Sequence, residues 1–330
     1  MLFRQRQLKV SIADRVNLLA SRQPGIELLR KDWCVPDSEQ KLLLLETGTG
    51  EQQTRWLLWL AFQLKQNNSN QFLIENLQPS WLKSPQQKRL YQILIGIMTG
   101  LLIGLIYGVS TGWIGAIVGG ATYGFILGCT QEIYPIGRLK ISLEYAKVKL
   151  LPSVLEGLWW GIIYGLIDAL ICGFIWGLDG SILGMLQVVI WGLVEGFIWG
   201  TSVPELKKIT VNNQGIKESA KNAVTFTFIG GGAWLLLYIL VLKLMGEPLE
   251  HQSLLVDSIS CGLFFGIYMG GLACLQHWVL RFLLWRNDDI PWNYAQFLKY
   301  ATERGFLEHD GGFYQFKHLE WQENCEGLNE

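Results

Sequence analysis

The chain lacks every common signature of catalysis. Neither G-x-x-x-x-G-K-[ST] nor G-x-G-x-x-G occurs in its 330 residues. Glu46-Thr47-Gly48-Thr49-Gly50 has the glycines of a phosphate loop but not the lysine that must reach the phosphates. No Ser-His-Asp set and no metal-ligand spacing stands out, so this chain is not expected to be an enzyme or to hold a metal or cofactor by itself. The six cysteines, Cys34, Cys129, Cys172, Cys261, Cys274 and Cys325, form no C-x-x-C pair. Four lie in apolar stretches, so they read as small apolar residues in a reducing setting. The first residues, M-L-F-R-Q-R-Q-L-K-V, have no apolar h-region, and no signal peptide is expected. Charge is scarce too: 17% of residues against ~25% in soluble domains. A net charge of −1 excludes nucleic-acid binding driven by bulk charge.

What the chain has instead is apolar surface and glycine. Half of its residues are hydrophobic, and it carries 37 glycines and 15 tryptophans. Residues 1–90 and 285–330 are polar and charged, whereas 91–284 are nearly uncharged, which sets three expected domains. A spanning helix takes about 20 mostly apolar residues. Six stretches qualify: 91–110, 112–131, 156–178, 181–200, 223–245 and 256–284. Ser110-Thr111-Gly112 and Asp179-Gly180 are tight links, and 246–251 is a longer one, so three helical hairpins are expected. Lys83, Lys88 and Arg89 precede the first stretch. Arg138, Lys140, Lys147 and Lys149 follow the second, and Lys207, Lys208, Lys217 and Lys221 follow the fourth. Arg281 and Arg286 close the last, and only Lys243 sits toward the other side. Basic connections stay in the cytoplasm. The expectation is a mainly α, multi-pass integral membrane protein with about six glycine-rich transmembrane helices, both termini cytoplasmic, and the lipid bilayer as its first partner.

Glycines recur every fourth residue within these stretches. They are Gly96, Gly100, Gly104, Gly108 and Gly112; Gly120, Gly124 and Gly128; Gly157, Gly161 and Gly165; Gly192, Gly196 and Gly200; and Gly262, Gly266 and Gly270. Such stripes let helix backbones approach closely, in a packed bundle or at the seam of a homo-oligomer. Two carboxylates fall inside the spans. Asp168 lies near the middle of the third, and Glu195 lies about one turn from the cytoplasmic end of the fourth. A carboxylate in a span is a functional candidate. This pair either handles protons or cations, or is protonated and bonded to a neighbouring helix. Glu132, Glu156 and Asp257 sit near span ends, and His277 reads as interfacial.

The N-terminal flank reads as helical, with Trp56, Trp59, Leu60 and Leu64 on one face and Asn67-Asn68-Ser69-Asn70 ending it. Trp81, just before the membrane, suits the bilayer interface. In the C-terminal flank a helix is expected from about Trp292 to Arg304, burying Tyr294, Phe297, Leu298 and Ala301. Gly305 stops it, and strands at Phe306-Leu307 and 313–316 flank a turn at His309-Asp310-Gly311-Gly312. A helix followed by a β-hairpin is the ending of a winged-helix unit.

Residues from about 54 to 323 resemble the C-terminal part of bacterial membrane-anchored NACHT-type NTPases of the STAND class. The matching pieces are R-W-L-L-W-L-A at 55–61, F-L-I-E-N-L-Q-P-S-W-L at 72–82 and N-Q-G-I-K-E-S-A-K-N-A at 213–223. G-G-L-A-C-L-Q-H at 270–277, L-W-R-N at 284–287 and I-P-W-N-Y-A-Q-F-L-K-Y-A-T-E-R at 290–304 complete the set. The family has Phe-x-His ending a hairpin, followed by Gln-Glu-Tyr; this chain has Phe316-Lys317-His318 and Gln322-Glu323, then Asn324 where the family has an aromatic. The resemblance implies a nucleotide-sensing role for His318 with Phe316 as its anchor; the alternative is a locally bonded histidine at a helix start. It implies a bacterial inner membrane, a P-loop NTPase as partner, and ATP or ADP reaching the assembly only through that partner. The expected function is a non-enzymatic membrane module that relays or anchors a nucleotide-dependent switch. The alternative is a small transporter or ion channel using Asp168 and Glu195, or a passive anchor for the soluble flanks.

Overall fold

The structure, a computed structural model, describes residues 51–130, 132–137, 139–204, 213–245 and 251–317. It is mainly helical. Among the described residues, four helices are long and apolar enough to cross a membrane: Pro85–Gly128, Leu143–Ile167, Gln214–Leu240 and Leu254–Arg286. The chain divides into two compact units. Among the described residues, one comprises 51–76 and 284–317, and the other 77–204 and 213–283.

In the first unit, α1 (Glu51–Gln66) is the N-terminal helix. Trp59 and Leu60 are fully buried and Leu64 nearly so, as the spacing predicts; Leu57 and Leu58 are buried as well. Asn68 ends the helix at φ 50, a left-handed conformation that asparagine tolerates better than most residues. Helix α7 (Tyr294–Glu303) buries Tyr294, Phe297, Leu298 and Ala301, and Asn293 caps it by accepting the Gln296 N–H at 3.2 Å. Gly305 follows at φ 79. Strands β3 (Leu307–Asp310) and β4 (Phe313–Phe316) then pair antiparallel, with Asp310 opposite Phe313. The turn is therefore the two residues Gly311-Gly312, and His309 and Asp310 belong to the strand rather than to the turn. Gly311, at φ 64, is the first turn residue, where a II′ hairpin turn takes glycine.

The two flanks, far apart in sequence, fold together. Trp56 of α1 stands edge-on to Phe297 of α7 at 5.2 Å, and its indole N–H donates to the Asp288 carbonyl at 3.2 Å. Phe72 pairs with Tyr314 of β4 through two backbone hydrogen bonds of 2.7 and 2.9 Å. Its ring meets Tyr294 at 5.5 Å.

In the second unit, α2 (Pro85–Gly128) begins at a capping box in which Ser84 and Gln87 satisfy each other's backbone N–H groups, with Pro85 at the first helical position. Its 44 residues would span ~66 Å if straight, about twice the bilayer core. It reverses at Gly112, at φ 78 and ψ −173, a conformation essentially restricted to glycine. Helix α3 (Leu143–Thr201) has 59 residues, yet the Ser142 N–H donates to the Thr201 carbonyl at 2.9 Å, so its two ends meet. It reverses at Gly177, at φ 74, two residues before the expected Asp179-Gly180 link. Short strands β1 (Leu139–Ile141) and β2 (Ser202–Pro204) pair across its base. Lys147 and Lys149, expected in a loop, lie in the first turns of α3. Lys217 and Lys221 lie on α4 (Gln214–Met245), while Arg138, Lys207 and Lys208 fall outside the described residues. Helix α5 (His251–Gly266) continues through a π turn at Ile267–Gly271 into α6 (Leu272–Arg286).

Two aromatic and imidazole expectations are corrected. Trp81 is 6% exposed, packed within the protein. It sits in a 3₁₀ turn at Pro79–Trp81, next to Gln78, whose side-chain amide makes two 2.9 Å bonds with the backbone of Ile133. His277 is likewise buried, at 3% exposure, rather than interfacial.

Candidate functional site

The glycine stripes decide where polar groups meet, because they set the register between antiparallel halves. In α2 a Cβ at Gly100 would lie 2.8 Å from the Gly120 carbonyl oxygen, one at Gly104 2.8 Å from that of Ala116, and one at Gly96 3.0 Å from that of Gly124. A Cβ on Gly108 would meet the Ala116 methyl at 3.1 Å, and one on Gly128 the Gly96 Cα at 2.9 Å. In α3, Gly192 faces Gly157 and Gly161, Gly196 faces Ser153 and Val154, and Gly200 faces Leu150. Between α4 and the α5–α6 arm, Gly262 faces Thr227 and Gly231, Gly266 faces Thr227, and Gly270 faces Ser219. Every one of these glycines meets backbone or short side chains of the neighbouring antiparallel segment.

That register carries Glu195 to the level of Glu156, since Gly157 stands against Gly192 and Gly196. It does not carry Glu195 to Asp168. Gly165, one turn before Asp168, faces Met185, so the Asp168 level lies about 16 Å further along the hairpin than Gly157. The side chain of Asp168 falls outside the described residues.

Glu195 is the acceptor of a small polar cluster. The Tyr268 hydroxyl donates to its Oε1 at 2.7 Å, and the Trp199 indole is a second partner. Tyr268 belongs to the π turn, whose Met269 (ψ 17) and Gly270 (φ 151) leave the helical path. A π turn inserts one extra residue and re-aims the side chains around it, which is why such turns concentrate at functional sites. Beside the pair is a cavity of about 100 Å³ lined by all three hairpins, including Tyr123, Trp160, Tyr164, Glu195, Phe264 and Tyr268. Trp160 stacks on Tyr164 with centroids 6.0 Å apart, and Tyr123 meets Phe264 edge-on at 5.2 Å. A larger cleft of about 900 Å³ runs along the glycine seam of α2, but no charged side chain lines it.

The sequence singled out Glu195 but missed Tyr268 and the ring of aromatics around it. The visible signal was slight: a tyrosine just ahead of Gly270-Gly271 in an apolar run. Phe316 is buried in β4, opposite Leu307. His318, Gln322 and Glu323 fall outside the described residues. Among the described residues no group of three or more His, Cys, Asp or Glu side chains could hold a metal, and Cys129, Cys261 and Cys274 form no disulfide. Comparison with protein-family models, with curated proteins and with solved structures finds no match to this chain.

Proposed function

We propose that the protein is a membrane-embedded module of a NACHT-type signalling system, non-enzymatic by itself. In this reading α2 and α3 each cross twice, giving six spans in three hairpins with both termini in the cytoplasm of a bacterial inner membrane. The soluble unit ends in a winged-helix-like element. A P-loop NTPase partner binds ATP or ADP, His318 senses its change of state with Phe316 as anchor, and the resulting motion of this element reaches the bundle. The bundle then oligomerises or changes the permeability of the membrane. One observation supports the reading: two pieces of the resemblance, at 55–61 and 290–304, lie in one compact unit together with the first five residues of the piece at 72–82. The test is a pull-down of the tagged chain from gently solubilised native membranes, with mass spectrometry of what co-purifies. A P-loop NTPase retained differently with ATP and ADP supports the proposal. Recovery of the chain alone under both conditions refutes it.

A second reading, a small transporter or channel using Glu195 and Asp168, is favoured by the cavity beside Glu195 and the π turn that builds it. Purified protein in liposomes should then pass a small cation, and Glu195→Gln or Asp168→Asn should slow that flux. Wild-type vesicles as tight as empty ones would end this reading.

A further inference from the structure

The cavity at Glu195 combines one carboxylate with an unusual density of aromatic rings. Tyr123, Trp160, Tyr164, Phe264 and Tyr268 line it, and no Lys, Arg or His is among its lining residues. An aromatic ring is negative over its face, so several rings around one space attract a cation even where no formal charge is present. Glu195 supplies the one carboxylate among the lining residues, and its Oε1 accepts from the Tyr268 hydroxyl at 2.7 Å. The register of α3 sets Glu156 at the level of the same pair.

The lining also says which cation. Calcium needs six to eight oxygen ligands and magnesium a near-octahedral set. Here the side-chain oxygens are one carboxylate and three phenols, and the other lining side chains are hydrocarbon apart from the Trp160 indole nitrogen. A volume of about 100 Å³ suits a compact organic cation whose methyl groups lie against rings. Tyr268, about half exposed, is set against Glu195 by the π turn.

We propose that this cavity is a binding site for a small alkylammonium group, with Glu195 as its counter-ion and Trp160, Tyr164 and Tyr268 as the principal rings of its cage. The inference rests on the second reading above, that the Glu195 site is functional, and it names the ligand class. A free alkylammonium solute and a lipid headgroup carrying the same group share this chemistry.

The test uses the full chain in phosphatidylglycerol nanodiscs, titrated calorimetrically with tetramethylammonium chloride against sodium chloride of equal ionic strength. Neopentyl alcohol, an uncharged molecule of similar shape, is the control. Tetramethylammonium should bind and neopentyl alcohol should not. Glu195→Gln and Trp160→Leu should each weaken binding by about tenfold or more, the size expected when a desolvated counter-ion or cation–π wall is lost. Equal heats from the charged and uncharged molecules would overturn the proposal on wild-type protein alone, whether or not the variants fold. Glu195→Gln that folds and binds as tightly as wild type would overturn it too. Repeating the titration in phosphatidylcholine nanodiscs separates the sources. Loss of tetramethylammonium binding there identifies the lipid headgroup as the occupant, and unchanged binding identifies a free solute. Cation flux into liposomes is measured in parallel. Flux without tetramethylammonium binding overturns this inference and leaves the transport reading standing. Binding without flux does the reverse.

Discussion

Replacing Gly120 with alanine tests whether the glycine seam of α2 is a true backbone contact. A Cβ at Gly120 would lie 2.6 Å from the Gly100 carbonyl oxygen and 3.0 Å from the Gly104 Cα. Both obstacles are backbone and cannot rotate away, so the two halves must separate by several tenths of an ångström. Overpacking of this kind costs about 1–3 kcal/mol. Alanine also gains about 0.8–1.0 kcal/mol of helix propensity over glycine, so a raw measurement mixes two effects of opposite sign. Gly232→Ala separates them. Gly232 is also helical, but nothing lies within 4 Å of its Cβ position, so that variant keeps the propensity gain without the clash. The stability of Gly120→Ala should fall below that of Gly232→Ala by about 1–3 kcal/mol, the strain alone. Gly112→Ala supplies a third mechanism: nothing crowds its Cβ position, but its φ of 78 should cost about 1–3 kcal/mol. The assay is reversible unfolding in mixed micelles as SDS is increased, followed by far-UV circular dichroism. If Gly120→Ala proves as stable as Gly232→Ala, the seam is not closed and the register that brings Glu156 to Glu195 loses its basis by analogy.

Three other outcomes follow from single contacts. Ser219 is fully buried, accepts the Ile136 N–H at 2.7 Å and donates back to the Ile136 carbonyl at 3.2 Å. Ser219→Ala strands that N–H and should cost about 1–3 kcal/mol in the same unfolding assay, and an unchanged midpoint would show that the backbone there finds another partner. Leu60 has no exposed surface in the first unit, so Leu60→Ala should lose about 2–5 kcal/mol, read as an earlier thermal transition; a shift as small as that of a surface control would contradict the packing of α1. Asn293→Ala removes the cap of α7 and should cost about 1 kcal/mol, seen as faster hydrogen exchange at the Gln296 amide, while unchanged exchange would mean the cap is idle.

Much of this architecture is legible in the chain because it rests on periodicity and on backbone rules. The buried face of α7 follows from the spacing of Tyr294, Phe297, Leu298 and Ala301. The reversal at Gly112 follows from a glycine inside a link of three small residues. The same logic missed Gly177 because Asp179-Gly180 looks like the stronger turn, while the backbone reverses at whichever glycine lets the flanking stripes come into register. Trp81 and His277 were misplaced for a related reason: an amphipathic side chain near a span end suits either lipid headgroups or protein, and local spacing does not distinguish them.

By itself, then, the sequence determined the helical class, the membrane-crossing length of the apolar stretches and the helix-plus-hairpin of the C-terminal flank, because each depends on neighbours within a few turns. Only the tertiary structure joined Trp56 to Phe297 across more than two hundred residues, set Glu195 beside Glu156 rather than Asp168, and brought Tyr268 to Glu195 through a π turn. Those pairings depend on how closely two backbones approach and in what register. That is a property of the packed pair of helices and is written in neither helix alone.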